Sequence, residues 1–398
     1  MERRIAVSYK DILFETSGHQ FEYRIGFGAL DSIAQKLKAL GNITSATILC
    51  DKVDEPRTVQ RLVDKLDESS VSSVVHAIRF GDEVRTFDEI GRILERLIEK
   101  GGMHPDVFIA CGPDTILKMG AYLAYLLDSN IPFIYIPTNP RTALLAPCIH
   151  ASIHLAKQKD ALVRYENPAY ICYDFESEKH LGLKTLREIY PYLARFCFAN
   201  SSYAFHQLCL DAEKLKQKDY GVYLTHLSNT LYQLSKLMKC AHSREELYSS
   251  PELSFASYTQ AALERAVDKN TFYPGEYLAD AMRLEMSLAK RKLGLEPAYV
   301  DMINSFFETL NIKELDVDLA LERYFVCLLG KSPDFLLLDE KDQEAEGLAD
   351  EIELLLLSKP GEFQKTSLDQ ADLIGELETF AQKRTELVPV HKRRDYKK

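Results

Sequence analysis

Three turns in the first half of the chain carry residue types that could hold a nucleotide. Asp51 closes the apolar run Ala46-Thr47-Ile48-Leu49-Cys50, and an acidic side chain at such a strand end can accept hydrogen bonds from ribose hydroxyls. An aspartate there equally suits a plain strand-end turn, and the sequence leaves both readings open. Cys111-Gly112-Pro113-Asp114-Thr115 follows the apolar run Val107–Ala110, and Pro137-Thr138-Asn139-Pro140 follows Phe133–Ile136. Glycine in such a turn lets backbone amides approach a pyrophosphate at a helix N-terminus. Pro113 removes one of those donors, and Asp114 adds negative charge where phosphate would sit. Both changes weaken a diphosphate site, and helix N-capping by Asp114 is the simpler reading. His150 and His154 are spaced to share one face of a helix, where two imidazoles can hold a metal. The glutamate of an HExxH helix is missing, so ordinary packing histidines compete with that reading. Cys111 stands where a nucleophile could sit, but no partner histidine is visible and a packed thiol is favoured.

These turns need a scaffold, and the hydrophobic pattern supplies one. Phe21 to Ile25 alternates as a strand, Leu30 to Leu40 reads as a helix, and Ala46 to Cys50 as a buried strand. Val59 to Leu66 is helical, Val74 to Ile78 a strand, and Thr86 to Lys100 an amphipathic helix with Asp88 and Glu89 in its first turn. Strands and helices alternating through Tyr173 predict a parallel α/β sheet. From about Leu181 the pattern becomes helical, over Leu183–Phe205, Leu224–Met238, Ala256–Val267, Pro274–Leu293, Ala298–Leu310 and Leu319–Leu329. Ile352–Ser358 reads as a strand and Gln370–Gln382 as a last helix.

The 398 residues exceed one ordinary core, so two domains are expected, over 1–178 and 179–398. A formal net charge of -11 argues against non-specific nucleic-acid binding. No apolar run reaches the length of a membrane span and the N-terminus has no signal-peptide core, so a cytoplasmic protein is expected. Eight cysteines without a CxxC pair fit buried thiols in a reducing compartment.

Several strings, in this order and spacing, resemble the 3-dehydroquinate synthase family of sugar-phosphate cyclases over most of the chain. They are YRIGFGALDSI, FGDEVRTFDEIGRILERL, IACGPDT, IPFIYIPTN, KDALVRYENPAYICYD, FYPGEYLADAMRLEMSLAKRKLGL and DEIELLLLSKPGEF. The resemblance implies an N-terminal Rossmann-like α/β domain that binds NAD, an all-α C-terminal domain holding a divalent metal, usually zinc, and a homodimer. It also implies oxidation of a substrate hydroxyl, phosphate elimination, re-reduction and ring closure, in which the metal polarises hydroxyl and ketone.

Carried over residue by residue, the resemblance sets Asp82 at a family glutamate and Arg85 at a lysine. Gly112 survives from a glycine triplet, with Asp114 and Thr115 after it. Lys118 replaces an aspartate, Asn139 replaces a threonine beside the retained Thr138, Lys159 matches a lysine and Asp160 replaces an asparagine. The expected cofactor-binding residues are Asp51, Asp82, Arg85, Gly112, Asp114, Thr115, Thr138, Asn139 and Lys159, and Lys159, Arg195 and Glu276 are the candidates for catalysis. The metal positions hold Tyr192, Tyr258 and Pro274, with Ala262 at a second histidine, while Leu145 and Ala151 replace an active-site aspartate and lysine. Tyrosine, tyrosine and proline are not a zinc site, so that site is expected to be absent, with His150 and His154 the weak substitutes. The expectation is a divergent cyclase-like protein binding NAD, another nucleotide or a phosphorylated small molecule, with altered chemistry. The alternative is a pseudoenzyme acting as scaffold or regulatory subunit.

Overall fold

A computed structural model describes residues 8–16, 18–79, 81, 85–128, 130–155, 158–165, 167–266, 272–315, 327–329, 349–376 and 378. The contacts divide the chain into two compact units: Met1–Leu186 with Leu227–His242, and Arg187–His226 with Ser243–Lys398. The sequence sets one boundary at 178/179. The contacts break first at Leu186/Arg187, and they return 227–242 to the first unit.

The first unit is built on a seven-stranded sheet. Its strands and helices run β1 (Ser8–Thr16), β2 (His19–Phe27), α1 (Ile33–Leu40), β3 (Ser45–Asp51), α2 (Gln60–Asp67), β4 (Ser72–Ile78), α3 (Phe87–Lys100) and β5 (Val107–Gly112). Then follow α4 (Asp114–Leu127), β6 (Phe133–Pro137), α5 (Pro140–Leu145), β7 (Ala151–Leu155), β8 (Gln158–Arg164) and β9 (Tyr170–Asp174). The strand order is β1-β2-β9-β6-β5-β3-β4. All neighbours pair parallel except the edge strand β1, which runs antiparallel to β2. Continuous burial along β3, β5, β6 and β9 explains their unbroken apolar runs, because both faces are covered. One such cluster joins Ile48, Cys50, Ile109, Cys111, Ile134, Ile136 and Cys172 to Leu37 and Leu62. Each such aliphatic side chain contributes roughly 1.5–3 kcal/mol on burial. The helix expected over Thr86–Lys100 forms, with the Thr86 side chain accepting from the Glu89 amide as its N-cap and Gly101 left-handed at its end.

Two elements differ from the sequence reading. The segment with His150 and His154 is not helical, because Ala151–Leu155 pairs antiparallel with Gln158–Arg164 as a separate two-stranded sheet. Its cross-strand hydrogen bonds override a pattern too short to fix a period. The long helix expected over Leu183–Phe205 is three: α6 (Leu183–Arg187), α7 (Ile189–Asn200) and α8 (Ser202–Leu210). Extended Ser201 breaks the last two apart and caps α8, accepting from the Ala204 amide.

In the second unit and the segment it exchanges with the first follow α9 (Ala212–Lys216), α10 (Tyr220–Cys240), α11 (Arg244–Tyr248), α12 (Pro251–Ser254), α13 (Ser257–Ala266), α14 (Pro274–Leu293) and α15 (Pro297–Thr309). A hairpin, β10 (Glu351–Lys359) with β11 (Glu362–Asp369), packs on this helical set. Phe198 touches Phe205 and Phe255, with centroids 4.5 and 6.2 Å away, and Phe255 touches Phe363 on β11 at 5.8 Å. Residues 370–376 are helical, as expected for the start of the last helix. Most of the helix expected over Leu319–Leu329 lies outside the described residues. No helix among the described residues is long and apolar enough to cross a membrane.

Candidate functional site

The sheet's connections define a crevice. From β3 the chain moves outward to β4, whereas the next strand, β5, lies on the other side of β3. Ligands of open parallel sheets bind outside the carboxyl ends of the strands at such a reversal. Here those ends carry Asp51, Gly112 and Thr138, three of the positions expected to meet a cofactor.

The crevice is lined by groups already engaged with one another. Asp51 is buried, and its Oδ1 accepts from the Val53 amide at 3.1 Å, which is the strand-end turn. A Cβ at Gly112 would lie 2.9 Å from Ile116, so packing of α4 on β5 already demands glycine there. Pro113 precedes α4 and offers no N–H. The Asp114 amide donates to Thr142 Oγ1 at 3.2 Å, and the Asp114 carboxylate pairs with Arg141 at 3.2 Å. Asn139 caps α5, accepting from the Thr142 amide at 2.9 Å, and Thr115 is buried. Thr138 Oγ1 donates to Asp54 Oδ2 at 2.8 Å. Burial pushes the Asp54 carboxyl up to about 6, against the opposing effect of the Thr138 hydrogen bond. This turn, with one amide missing, one engaged and a carboxylate beside it, does not fit a diphosphate as it stands. Cys111 is fully buried and its thiol is raised well above its ordinary value by desolvation, which closes the nucleophile reading.

A second polar cluster gathers Arg85, Lys118, Ser152, His154 and Asp160. Arg85 is buried and donates to Ser152 Oγ at 2.7 Å and Asp160 Oδ1 at 2.5 Å. Ser152 Oγ donates to the same carboxylate oxygen at 2.5 Å, and Lys118 Nζ lies 4.0 Å from Asp160 Oδ2. Burial disfavours the Asp160 carboxylate, but Lys118, Ser152 and Arg85 outweigh it and hold the group well below the usual carboxylate range. His154 Nδ1 accepts from the Asp160 amide at 2.8 Å, and the His154 amide donates to the Arg85 carbonyl at 2.6 Å. His150 stacks edge-on against Tyr165 at 5.5 Å. Four residues of extended chain span about 13 Å, so the two histidines do not converge as a helix would bring them. Asp82 and the side chain of Lys159 lie outside the described residues.

In the second unit, the positions that the resemblance assigns to metal ligands are joined by an amide. Gln260 Nε2 donates to the Pro274 carbonyl at 3.2 Å and to Glu264 at 2.9 Å, and lies 3.5 Å from the Tyr192 hydroxyl. Tyr258 donates to the Leu328 carbonyl at 2.5 Å. Zinc needs imidazole, thiolate or carboxylate donors, and this set does not fit it. Among the described residues, no group of three His, Cys, Asp or Glu side chains converges. Arg195 is buried with its guanidinium over the Tyr192 ring, 5.3 Å from the centroid. Glu276 Oε2 accepts from the Tyr273 amide at 2.9 Å, so it works as the capping carboxylate of α14. Beneath α13, the fully buried Glu285 accepts from Thr259 Oγ1 at 2.6 Å and the Ala256 amide at 3.1 Å. Burial pushes it up to about 7, opposed by these two donors and by Arg195.

Sequence reasoning did not single out Asp54, Ser152, Gln260 or Glu285. Asp54 had a usable signal, an acidic residue three positions past a strand end. The others carry none, because their importance comes from partners 8 to 68 positions away.

No family profile matches the chain. A 3-dehydroquinate synthase from Paracoccus denitrificans (strain Pd 1222) is 22% identical over 195 residues, 48% of this chain and 52% of that protein. One from Rhizobium leguminosarum bv. trifolii (strain WSM2304) is 24% identical over 107 residues, 27% of each. The aligned segment thus spans about half, or less, of these relatives' length. Among solved structures, a 2-deoxy-scyllo-inosose synthase superposes with a TM-score of 0.72 at 16% identity, over 94% of this chain and 99% of that one. The 2-epi-5-epi-valiolone synthase of Streptomyces hygroscopicus subsp. jinggangensis 5008, solved with NAD+ and Zn2+ bound, gives 0.71 at 15% identity, over 96% and 100%. The fold expectation therefore holds along nearly the whole chain: it has the dehydroquinate synthase-like fold, and about half of it is similar in sequence to 3-dehydroquinate synthases.

Proposed function

We propose that the chain is a sugar-phosphate-cyclase relative that works without the family's metal. Its first unit would bind a phosphorylated small molecule, or a nucleotide, NAD among them, whose diphosphate lies away from the turn after β5, and perform altered chemistry in a specialised biosynthetic pathway. The observation that carries the metal-free reading is the Gln260 amide, which ties the Pro274 carbonyl and approaches Tyr192 where the resemblance sets metal ligands. Arg85 and Lys118, two cations in one cluster around Asp160, support an anionic ligand. Carriage as a homodimer in the cytoplasm belongs to the same reading.

A second reading, a pseudoenzyme acting as scaffold or regulatory subunit, is favoured by the strand-end turns, whose polar groups are paired with one another at Asp54–Thr138 and Asp114–Arg141. Two measurements on the purified chain decide between them. Metal analysis is expected to find no stoichiometric zinc, and one zinc per chain would overturn the metal-free reading. Titration with NAD, NADH and sugar phosphates, followed by melting temperature, is expected to give a saturable upward shift, because a ligand that binds only the folded form stabilises it. No shift with any of them favours the scaffold. Formation of dehydroquinate from the usual seven-carbon sugar phosphate would sink both.

A further inference from the structure

We propose that Lys118 and Asp160 form a binding site for a phosphate group that still carries a proton, the ammonium donating to one phosphate oxygen and the carboxylate accepting from the P–OH. The proposal rests on the reading that the first unit binds a phosphorylated small molecule. It places the phosphate at the polar cluster of β7 and β8, away from the turn after β5. The observation behind it is a pair of ionised groups that face each other without bonding. Lys118 Nζ stands 4.0 Å from Asp160 Oδ2, which is too far for a hydrogen bond. Among the described residues, no hydrogen bond reaches either atom. Both side chains meet solvent, at 19% and 34% exposure, whereas that of Arg85 is 4% exposed. An ammonium with its donors open and a carboxylate oxygen with its lone pairs open are thus left at the surface of an otherwise closed cluster.

Arg85 and Ser152 are the positioning residues. Both donate to Asp160 Oδ1 at 2.5 Å, so that oxygen is taken and Oδ2 is the one left toward Lys118. The Asp160 amide donates to His154 Nδ1 at 2.8 Å, and its φ of +48° is a left-handed conformation that aspartate tolerates better than most residues. The backbone under the carboxylate is therefore fixed. Burial opposes the charge on Asp160, but Lys118, Ser152 and Arg85 outweigh it and keep the carboxyl ionised, so Oδ2 can only accept. That state selects the ligand. Arg85, Lys118 and Asp160 sum to one positive charge, which favours an anion over a neutral hydroxyl. An anion without a proton, such as sulfate, meets Lys118 but sets a bare oxygen against Oδ2, two acceptors with no hydrogen between them. A phosphate that keeps one proton satisfies both partners. Each contact is a charge-assisted hydrogen bond, and losing one costs roughly ten-fold or more in affinity.

The test is calorimetric titration of the full chain at pH 6 with inorganic phosphate, sulfate, glucose 6-phosphate and glucose. At that pH inorganic phosphate keeps a proton, a sugar phosphate with a second pKa of about 6 keeps one in about half of its molecules, and sulfate has none. Wild type is expected to bind phosphate about ten-fold or more tightly than sulfate, a comparison that needs no variant, and to prefer glucose 6-phosphate to glucose. Lys118→Met keeps the stem and removes the charge, and is expected to weaken phosphate by about ten-fold or more. Asp160→Asn keeps a carbonyl for Arg85 and Ser152 and sets a donor in place of Oδ2, so it is expected to bind sulfate as well as phosphate. Melting curves verify that both variants are folded. Equal affinity of wild type for phosphate and sulfate overturns the proton-selective site and leaves the phosphorylated-ligand reading standing. Phosphate binding that neither variant changes does the same. Glucose bound as tightly as glucose 6-phosphate overturns phosphate as the recognised group. No binding of phosphate or glucose 6-phosphate by wild type or either variant overturns the site and the phosphorylated-ligand reading together.

Discussion

Glu285 gives the second unit a pH-dependent stability whose sign can be worked out. Its carboxyl is completely buried under α13, with a folded-state value of about 7 that desolvation sets first, against the Thr259 and Ala256 donors and Arg195. An unfolded glutamate titrates near 4.3. Below that value both states hold the proton and the group is neutral to stability. Between about 4.3 and 7 the unfolded chain releases the proton while the native one keeps it, so stability falls by about 1.4 kcal/mol per pH unit. Above about 7 both states are ionised and the whole cost, about 4 kcal/mol, persists. Glu285→Gln carries no such term. Its carbonyl can accept from the Ala256 amide, and its NH2 can donate to the Thr259 hydroxyl, which reverses its role. Urea unfolding of wild type and Glu285→Gln at pH 5, 6, 7 and 8 is the assay. The stability of Glu285→Gln relative to wild type is expected to rise with pH by up to about 3 kcal/mol, flattening above pH 7. A difference that stays constant across that range refutes the buried, proton-holding Glu285.

Three further outcomes follow from the geometry. A Cβ at position 275 would overlap the Glu188 carbonyl oxygen, which is backbone and cannot turn aside, so Gly275→Ala is expected to lose about 1–3 kcal/mol in urea unfolding. Arg85→Met leaves the Asp160 carboxylate with Ser152 and a more distant Lys118. Because the Asp160 side chain is 34% exposed, the loss is discounted to about 2 kcal/mol. Asp160 is held below its unfolded value, so its contribution is full above about pH 4 and fades as pH falls further. The gap between wild type and Arg85→Met must therefore narrow in acid, as unfolding at pH 3 against pH 6 will report. Ala256 has a φ of +59°, a left-handed conformation that costs a residue with a Cβ roughly 1 kcal/mol, so Ala256→Gly is expected to raise the unfolding midpoint.

The sheet was legible because each central strand is a short, largely apolar run closed by a turn residue, as at Cys50-Asp51 and Ile136-Pro137. α14 was legible to its ends, since Pro274 starts it and Gly294 takes the left-handed position after it. The β7–β8 hairpin was not. Its strands alternate weakly, and what makes them strands is cross-strand pairing and the Arg85 and Asp160 contacts, none of them local. The site divided the same way. Positions at strand ends fell where expected, because topology alone puts them there. Their partners did not, since nothing in the order of residues says that Asp54 meets Thr138, 84 positions on, or that Gln260 meets Pro274.

Lys118 and Asp160 are two departures from the pattern that the resemblance sets, an aspartate and an asparagine, and they lie 4.0 Å apart. Restoring only the first would place two carboxylates side by side in a half-buried cluster. Restoring only the second would remove the carboxylate that Arg85 and Lys118 share. Either single change toward that pattern is costly while the two together offset one another, so the two positions are coupled: which residue is tolerated at one depends on the charge at the other.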